Sequence, residues 1–184
     1  DKDIVFLPKD ELLSVEEIGR VTKIFSDLGI KKIRITGGEP LVRRNFRDIV
    51  ETINNIEDIE EINITTNGIR LSEELEFLKD KKIHSLNISL DTLKKDLFKE
   101  ITGGGDLDKV LFSLHRAIEL KFKRIKLNVV LVRGKNDSEI MDFVNLTEKY
   151  PIDIRFIELM PIGLGKEYVP ISNDEVKDII LKSF

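Results

Sequence analysis

Cysteine is absent from all 184 residues, which excludes disulfides, thiolate catalysis and any cysteine-ligated metal in the chain itself. Long apolar runs are missing too, none approaching the roughly 20 residues that a membrane span needs. Asp1 to Leu12 carries no signal-peptide pattern, so the cytoplasm is the expected location. Neither sign of charge dominates: 34 acidic and 30 basic residues are mixed along the chain, and a net charge of −4 gives no electrostatic footprint for nucleic acid. Histidine is scarce, and neither His84 nor His115 has a second histidine at ligand spacing, so no metal ligand is assigned. No catalytic triad or pair of acids stands out, and no catalytic side chain is assigned.

What is present is the composition of a globular protein, 41% hydrophobic and 35% charged, read as one domain over residues 1–184. Complete α/β barrels run to about 250 residues. Ser14 and Glu17 form a capping box ahead of a helix with Val15, Ile18, Val21 and Leu28 at helical spacing, stopped by Gly29. Strands are predicted at Lys32 to Thr36, Ile62 to Thr65, Leu86 to Ser89, Lys126 to Val132 and Ile154 to Leu159. Further helices are predicted around Phe46 to Ile53, Ser72 to Leu78, Leu107 to Leu120 and Ser138 to Tyr150, with a last capping box at Ser172 and Glu175. Alternating strands and helices predict an α/β fold of right-handed βαβ units. Because the series opens on a helix, a preceding strand is expected to be missing from it.

Buried parallel strands normally read as continuous apolar runs, whereas these alternate. Ile33 and Ile35 oppose Lys32, Arg34 and Thr36; Ile62 and Ile64 oppose Asn63 and Thr65; Leu86 and Ile88 oppose Asn87 and Ser89; Leu127 and Val129 oppose Lys126 and Asn128; Arg155 interrupts the last strand. The apolar face must meet the helices, so the polar face lines the inside. Lys32, Arg34, Lys126 and Arg155, without carboxylates on the same faces, call for an anion or abundant water to compensate them, and a polyphosphate fits. The plainer reading is that they are wetted residues of a half-open sheet.

Gly37-Gly38-Glu39-Pro40 follows a strand's carboxyl end, where sites of α/β folds assemble. Its glycines allow close approach of backbone to a ligand, and Glu39 adds a carboxylate, either for that ligand or to stabilise the next helix start. Arg43 and Arg44 lie near enough in sequence to reach a phosphate there. Gly103 to Gly105 lack the Gly-Lys-Ser/Thr of a P-loop and read as a flexible connection.

The run Lys32-Ile-Arg-Ile-Thr-Gly-Gly-Glu-Pro-Leu-Val-Arg-Arg44, with Thr65-Thr-Asn-Gly68, Asn87-Ile-Ser-Leu-Asp91 and Arg155-Phe-Ile-Glu-Leu-Met160, resembles the molybdenum cofactor biosynthesis protein A family of radical S-adenosylmethionine (SAM) enzymes. The resemblance covers nearly the whole chain and implies an incomplete (β/α)6-type barrel, here without its first strand and C-terminal extension. It implies GTP 3′,8-cyclase activity, the radical SAM-dependent conversion of GTP to (8S)-3′,8-cyclo-7,8-dihydroguanosine 5′-triphosphate. Gly37, Gly38, Glu39, Ser89 and Met160 are then expected to bind SAM, and Lys32, Arg34, Thr65, Lys126 and Arg155 to bind GTP. The family's two 4Fe-4S clusters are ligated by cysteines that this chain lacks, so the chain alone is expected to be inactive in SAM cleavage. A cyclic pyranopterin monophosphate synthase is the expected downstream partner, and a homodimer the expected assembly. Two other readings of the residues stay open: a cluster-free barrel enzyme acting on a phosphorylated metabolite, with Lys126 as base, and a non-catalytic nucleotide-binding module.

Overall fold

The computed structural model describes residues 11–183, so most of the Asp1 to Leu12 stretch lies outside the described residues. Five strands, β1 (Lys32–Ile35), β2 (Glu61–Thr66), β3 (Ile83–Ser89), β4 (Ile125–Leu131) and β5 (Asp153–Glu158), form one parallel sheet in sequence order. Among the described residues seven α-helices accompany them: α1 (Val15–Asp27), α2 (Phe46–Asn54), α3 (Leu71–Leu78), α4 (Lys95–Thr102), α5 (Leu107–Glu119), α6 (Ile140–Lys149) and α7 (Asn173–Leu181).

Each strand pairs with its predecessor, so the right-handed crossovers always step the same way and stack helices on one face. Doubly wound sheets reverse direction and cover both faces; this order is that of a barrel wall. The apolar face forms the core, where Ile62, Ile64, Leu86, Ile88, Leu127 and Val129 are fully buried with Val50, Leu75, Val110 and Phe143 from the helices. Gly68 turns the chain from β2 toward α3 with φ +79°, and a Cβ there would come within 2.9 Å of Ile88.

The capping box at α1 is complete: Ser14 Oγ accepts from Glu17 N–H, and the Glu17 carboxylate accepts from Ser14 N–H. The one at α7 is half formed, because the Glu175 carboxylate turns instead to Arg133. Helix α4 was not expected; it follows β3 and ends at Gly103 (φ +68°), so the glycine run is a helix stop leading into α5. β3 begins three residues earlier than the pattern suggested, at Ile83, and three strands begin one residue earlier, at Glu61, Ile125 and Asp153. The shifts at Glu61 and Asp153 place two carboxylates on the polar face and correct the expectation of a face without them.

In a flat sheet β1 and β5 would stand about 19 Å apart at normal strand spacing. Arg34 of β1 and Arg155 of β5 nevertheless line one cavity of about 640 Å³ with Asn128 of β4, and Asn173 and Lys177 of α7 flank it. The sheet therefore curls toward barrel closure, with the polar face inside the curve.

Candidate functional site

Register across the sheet sorts the polar side chains into rows. Thr65, Asn87, Lys126 and Asp153 stand side by side on β2 to β5, Asn128 pairs with Arg155 one step further on, and Arg34 with Asn63. Lys126 is only 7% exposed. Among the described residues, Arg34, Lys126 and Arg155 have no carboxylate within ion-pair distance, and no acceptor bonds the Lys126 ammonium. Burial pushes the Lys126 pKa below the ordinary lysine value, Arg155 and Arg124 add to the shift, Asp153 opposes it, and Arg34 adds again. Three cations from β1, β4 and β5 thus feel one another across the hollow. Three buried oxygens on the same face, Thr65 Oγ1, Asn87 Oδ1 and Asn128 Oδ1, have no hydrogen-bond partner among the described residues. Buried polar groups in folded proteins are nearly always bonded, so such a cluster marks a place shaped for something else.

Lys32 behaves differently. It stands at the amino end of β1, exposed, with its ammonium 3.1 Å from Glu61, whose carboxylate also lies 3.6 Å from His84 Nδ1. Its charge is met within the protein, contrary to the expectation of an uncompensated cation. Arg43 is likewise occupied, donating to Asn45 Oδ1 at 2.8 Å and to the Leu13 carbonyl, so it is not turned toward a phosphate; Arg44 is exposed.

At the carboxyl end of β1, a Cβ on Gly37 or Gly38 would meet nothing within 4 Å. The φ of +155° calls for glycine at Gly37, whereas nothing in the packing demands one at Gly38; the bare backbone of both faces open space and leaves room for close approach of a ligand. Glu39, expected with the cofactor contacts, is used internally. Its Oε1 accepts from Leu41 N–H (3.1 Å) and Thr66 Oγ1–H (2.7 Å), and its Oε2 from Asn67 N–H (2.6 Å), so it caps the short 3-10 turn Pro40–Val42 and fastens it to the end of β2. Glu39 is a positioning residue for the glycine turn. Glu39→Gln keeps the Oε1 bonds but sets an amide N–H₂ against Asn67 N–H, and should cost about 1–3 kcal/mol in urea unfolding, with faster hydrogen exchange at the Asn67 amide.

Ser89 is exposed at the end of β3 and lines a smaller cavity of about 160 Å³ with Asn67, Asp91 and Thr92. Met160 stands beyond β5 on the segment that follows it, 67% exposed. Asp91 did not figure among the expected site residues, although it continues the polar face of Asn87 and Ser89. Its Oδ1 accepts from Val130 N–H at 2.7 Å, joining the ends of β3 and β4, and burial raises its pKa while that N–H opposes the rise. No group of three or more metal-ligating side chains occurs among the described residues, and the chain has no cysteine, so it does not fit an iron–sulfur cluster.

Residues 3–147 match the family described as the radical SAM superfamily. The chain is 50% identical over 177 residues to a GTP 3′,8-cyclase of Clostridium perfringens (strain SM101 / Type A), covering 96% of this chain and 54% of that protein. It is 47% identical over 179 residues to the GTP 3′,8-cyclase of Limosilactobacillus fermentum (strain NBRC 3956 / LMG 18251), covering 95% and 53%. It therefore spans about half the length of the curated relatives it matches. In fold it is similar to Streptococcus suis SuiB bound to S-adenosylmethionine (TM-score 0.67, 24% identical, covering 83% of this chain and 34% of that one). It is also similar to coproporphyrinogen III oxidase (HemN) from Escherichia coli (TM-score 0.62, 14% identical, covering 92% and 44%).

Proposed function

The chain belongs to the radical SAM superfamily, and from that membership we propose that residues 1–184 form the central part of one barrel domain in a GTP 3′,8-cyclase. The observation that carries this is the convergence of Arg34, Lys126 and Arg155, cations without carboxylate partners among the described residues, on the concave face of the sheet, beside α7. A triphosphate supplies the missing negative charge at close range, where low dielectric makes each contact strong. Arg34, Thr65, Lys126 and Arg155 hold GTP in this reading, and Lys32, paired with Glu61, adds only longer-range attraction. The open backbone of Gly37 and Gly38 takes the methionine end of SAM, with Ser89 and Met160 toward its nucleoside end. SAM held there would supply, once cleaved reductively by one electron from a 4Fe-4S cluster of the whole protein, a 5′-deoxyadenosyl radical able to take hydrogen from the ribose C3′ of GTP. The protein's own part is to bind the triphosphate, orient the sugar and keep water out of the hollow.

The cluster ligands belong to the rest of the whole protein, for which the reading assigns two 4Fe-4S clusters, a cytoplasmic location, a homodimer and a downstream cyclic pyranopterin monophosphate synthase. The names of the relatives support this reading over a cluster-free sugar-phosphate enzyme or a passive nucleotide binder. Reconstituted whole protein given GTP deuterated at C3′ should transfer the label to 5′-deoxyadenosine, and the 184-residue chain should cleave no SAM. SAM cleavage by the whole protein that neither requires GTP nor carries the label would overturn the reading.

A further inference from the structure

Thr65, Asn87 and Lys126 are neighbours in register on three adjacent strands. Asn87 is fully buried. Its Nδ2 donates to the Ile64 carbonyl at 3.0 Å and to Ser85 Oγ at 3.2 Å. A carbonyl can only accept, so the amide has one allowed orientation and its Oδ1 is fixed on the opposite side. That oxygen is shielded from solvent and has no donor among the described residues. Beside it in the row stands the Lys126 side chain, itself nearly buried and without an acceptor.

The groups around Lys126 are unequal. Arg124 on β4, Arg155 on β5 and Arg34 on β1 disfavour its charge, and Asp153 on β5 favours it. Arg124 already donates to Asp153 at 3.0 Å, so that carboxylate is shared. From β2 and β3 only neutral groups adjoin it, the Thr65 hydroxyl and the Asn87 amide. An acceptor locked in place on that side favours the protonated ammonium without bringing in a negative charge that would repel an anion.

We propose that Asn87 is a positioning residue for Lys126: its Oδ1 accepts one of the three ammonium N–H groups when an anion fills the hollow, directing the other two at the anion. This rests on the reading of the hollow as an anion site and not on which nucleotide enters it.

The test is calorimetric titration of the 184-residue chain with inorganic triphosphate between pH 7 and 10, comparing the unsubstituted chain with Asn87→Leu, Asn87→Asp and Lys126→Met. The ligand's own titration is common to all. Affinity should fall as pH rises through the Lys126 pKa. Asn87→Leu should bind about tenfold more weakly at pH 7 and shift that fall to lower pH, while Asn87→Asp shifts it to higher pH. In the Lys126→Met background, Asn87→Leu should change affinity by less than about twofold. A midpoint common to all three Asn87 forms, or an Asn87→Leu loss that persists without Lys126, overturns the proposal. Should a substituted chain fail to fold, the unsubstituted chain decides. With triphosphate bound, NMR should show a scalar coupling between Lys126 Nζ and Asn87 Cγ, and its absence counts against the bond. If triphosphate binds as described but GTP binds no more tightly, the nucleotide reading falls and the Asn87 assignment stands. If triphosphate does not bind at all, both fall.

Discussion

Replacing Lys126 with methionine should weaken GTP binding by about 10- to 100-fold and, in the same variant, raise the stability of the empty chain. The first effect follows from removing a charge-assisted contact to phosphate, worth about 1.5–3 kcal/mol, at about 1.4 kcal/mol per tenfold in affinity. The second follows from burial: an ammonium only 7% exposed, with no carboxylate at ion-pair distance among the described residues, strains the folded state until an anion arrives. Methionine keeps the length and removes the charge, so the gain should be about 1–3 kcal/mol, or roughly 2–10 °C in melting temperature.

The pH dependence gives this prediction a sign of its own. The folded chain holds the Lys126 proton less tightly than the unfolded chain does. Between the lowered pKa and the ordinary lysine value, the unfolded state therefore carries more protons, and stability rises with pH. The stability gap between Lys126→Met and the unsubstituted chain should be widest near neutral pH and narrow toward alkaline pH. Equal melting temperatures at every pH would show that Lys126 is not strained.

The second large effect concerns a carboxylate that touches no ligand in this account. Glu139, 1% exposed, accepts from Thr92 Oγ1–H at 2.7 Å and from Leu93 N–H at 2.8 Å, and Lys94 Nζ lies 3.8 Å away. Beside it the buried Asn136 donates to the carbonyls of Asp91 and Val130 and accepts from Val132 N–H. Together they brace the carboxyl ends of β3 and β4, where Ser89 and Asp91 sit. Glu139→Ala should cost about 3–5 kcal/mol, because it strands a buried hydroxyl and a backbone N–H. That is a large share of the 5–15 kcal/mol typical of a whole protein. Denaturant unfolding gives the magnitude, and early loss of exchange protection at Leu93 and Val130 would place the damage at the strand ends.

The sheet was readable because its two faces differ so strongly. Ile62, Ile64, Leu86 and Ile88 lie in the core as their alternation with Asn63, Thr65, Asn87 and Ser89 requires. Helix α4 escaped notice because its eight residues bury only Phe98, too thin an apolar stripe to register as a period. Glu61 and Asp153 were missed as strand starts because charged residues are poor strand formers, and with them went the partner of Lys32. The role of Glu39 depends on Thr66 and Asn67, 27 and 28 residues away, and no local pattern reports such a contact. Asn87 was legible as a polar-face residue, but its stranded oxygen is visible only once Ile64 and Ser85 claim the amide N–H₂.

Arginine side-chain NMR tests the shared hollow most directly. On titrating the chain with triphosphate, the Nε–H resonances of Arg34 and Arg155 should shift together and saturate at one stoichiometric equivalent. Those of Arg47 and Arg70, held by Glu74 and Glu73, should stay still. Shifts spread evenly over the surface arginines, or none at Arg34 and Arg155, would contradict a common anion site on the concave face.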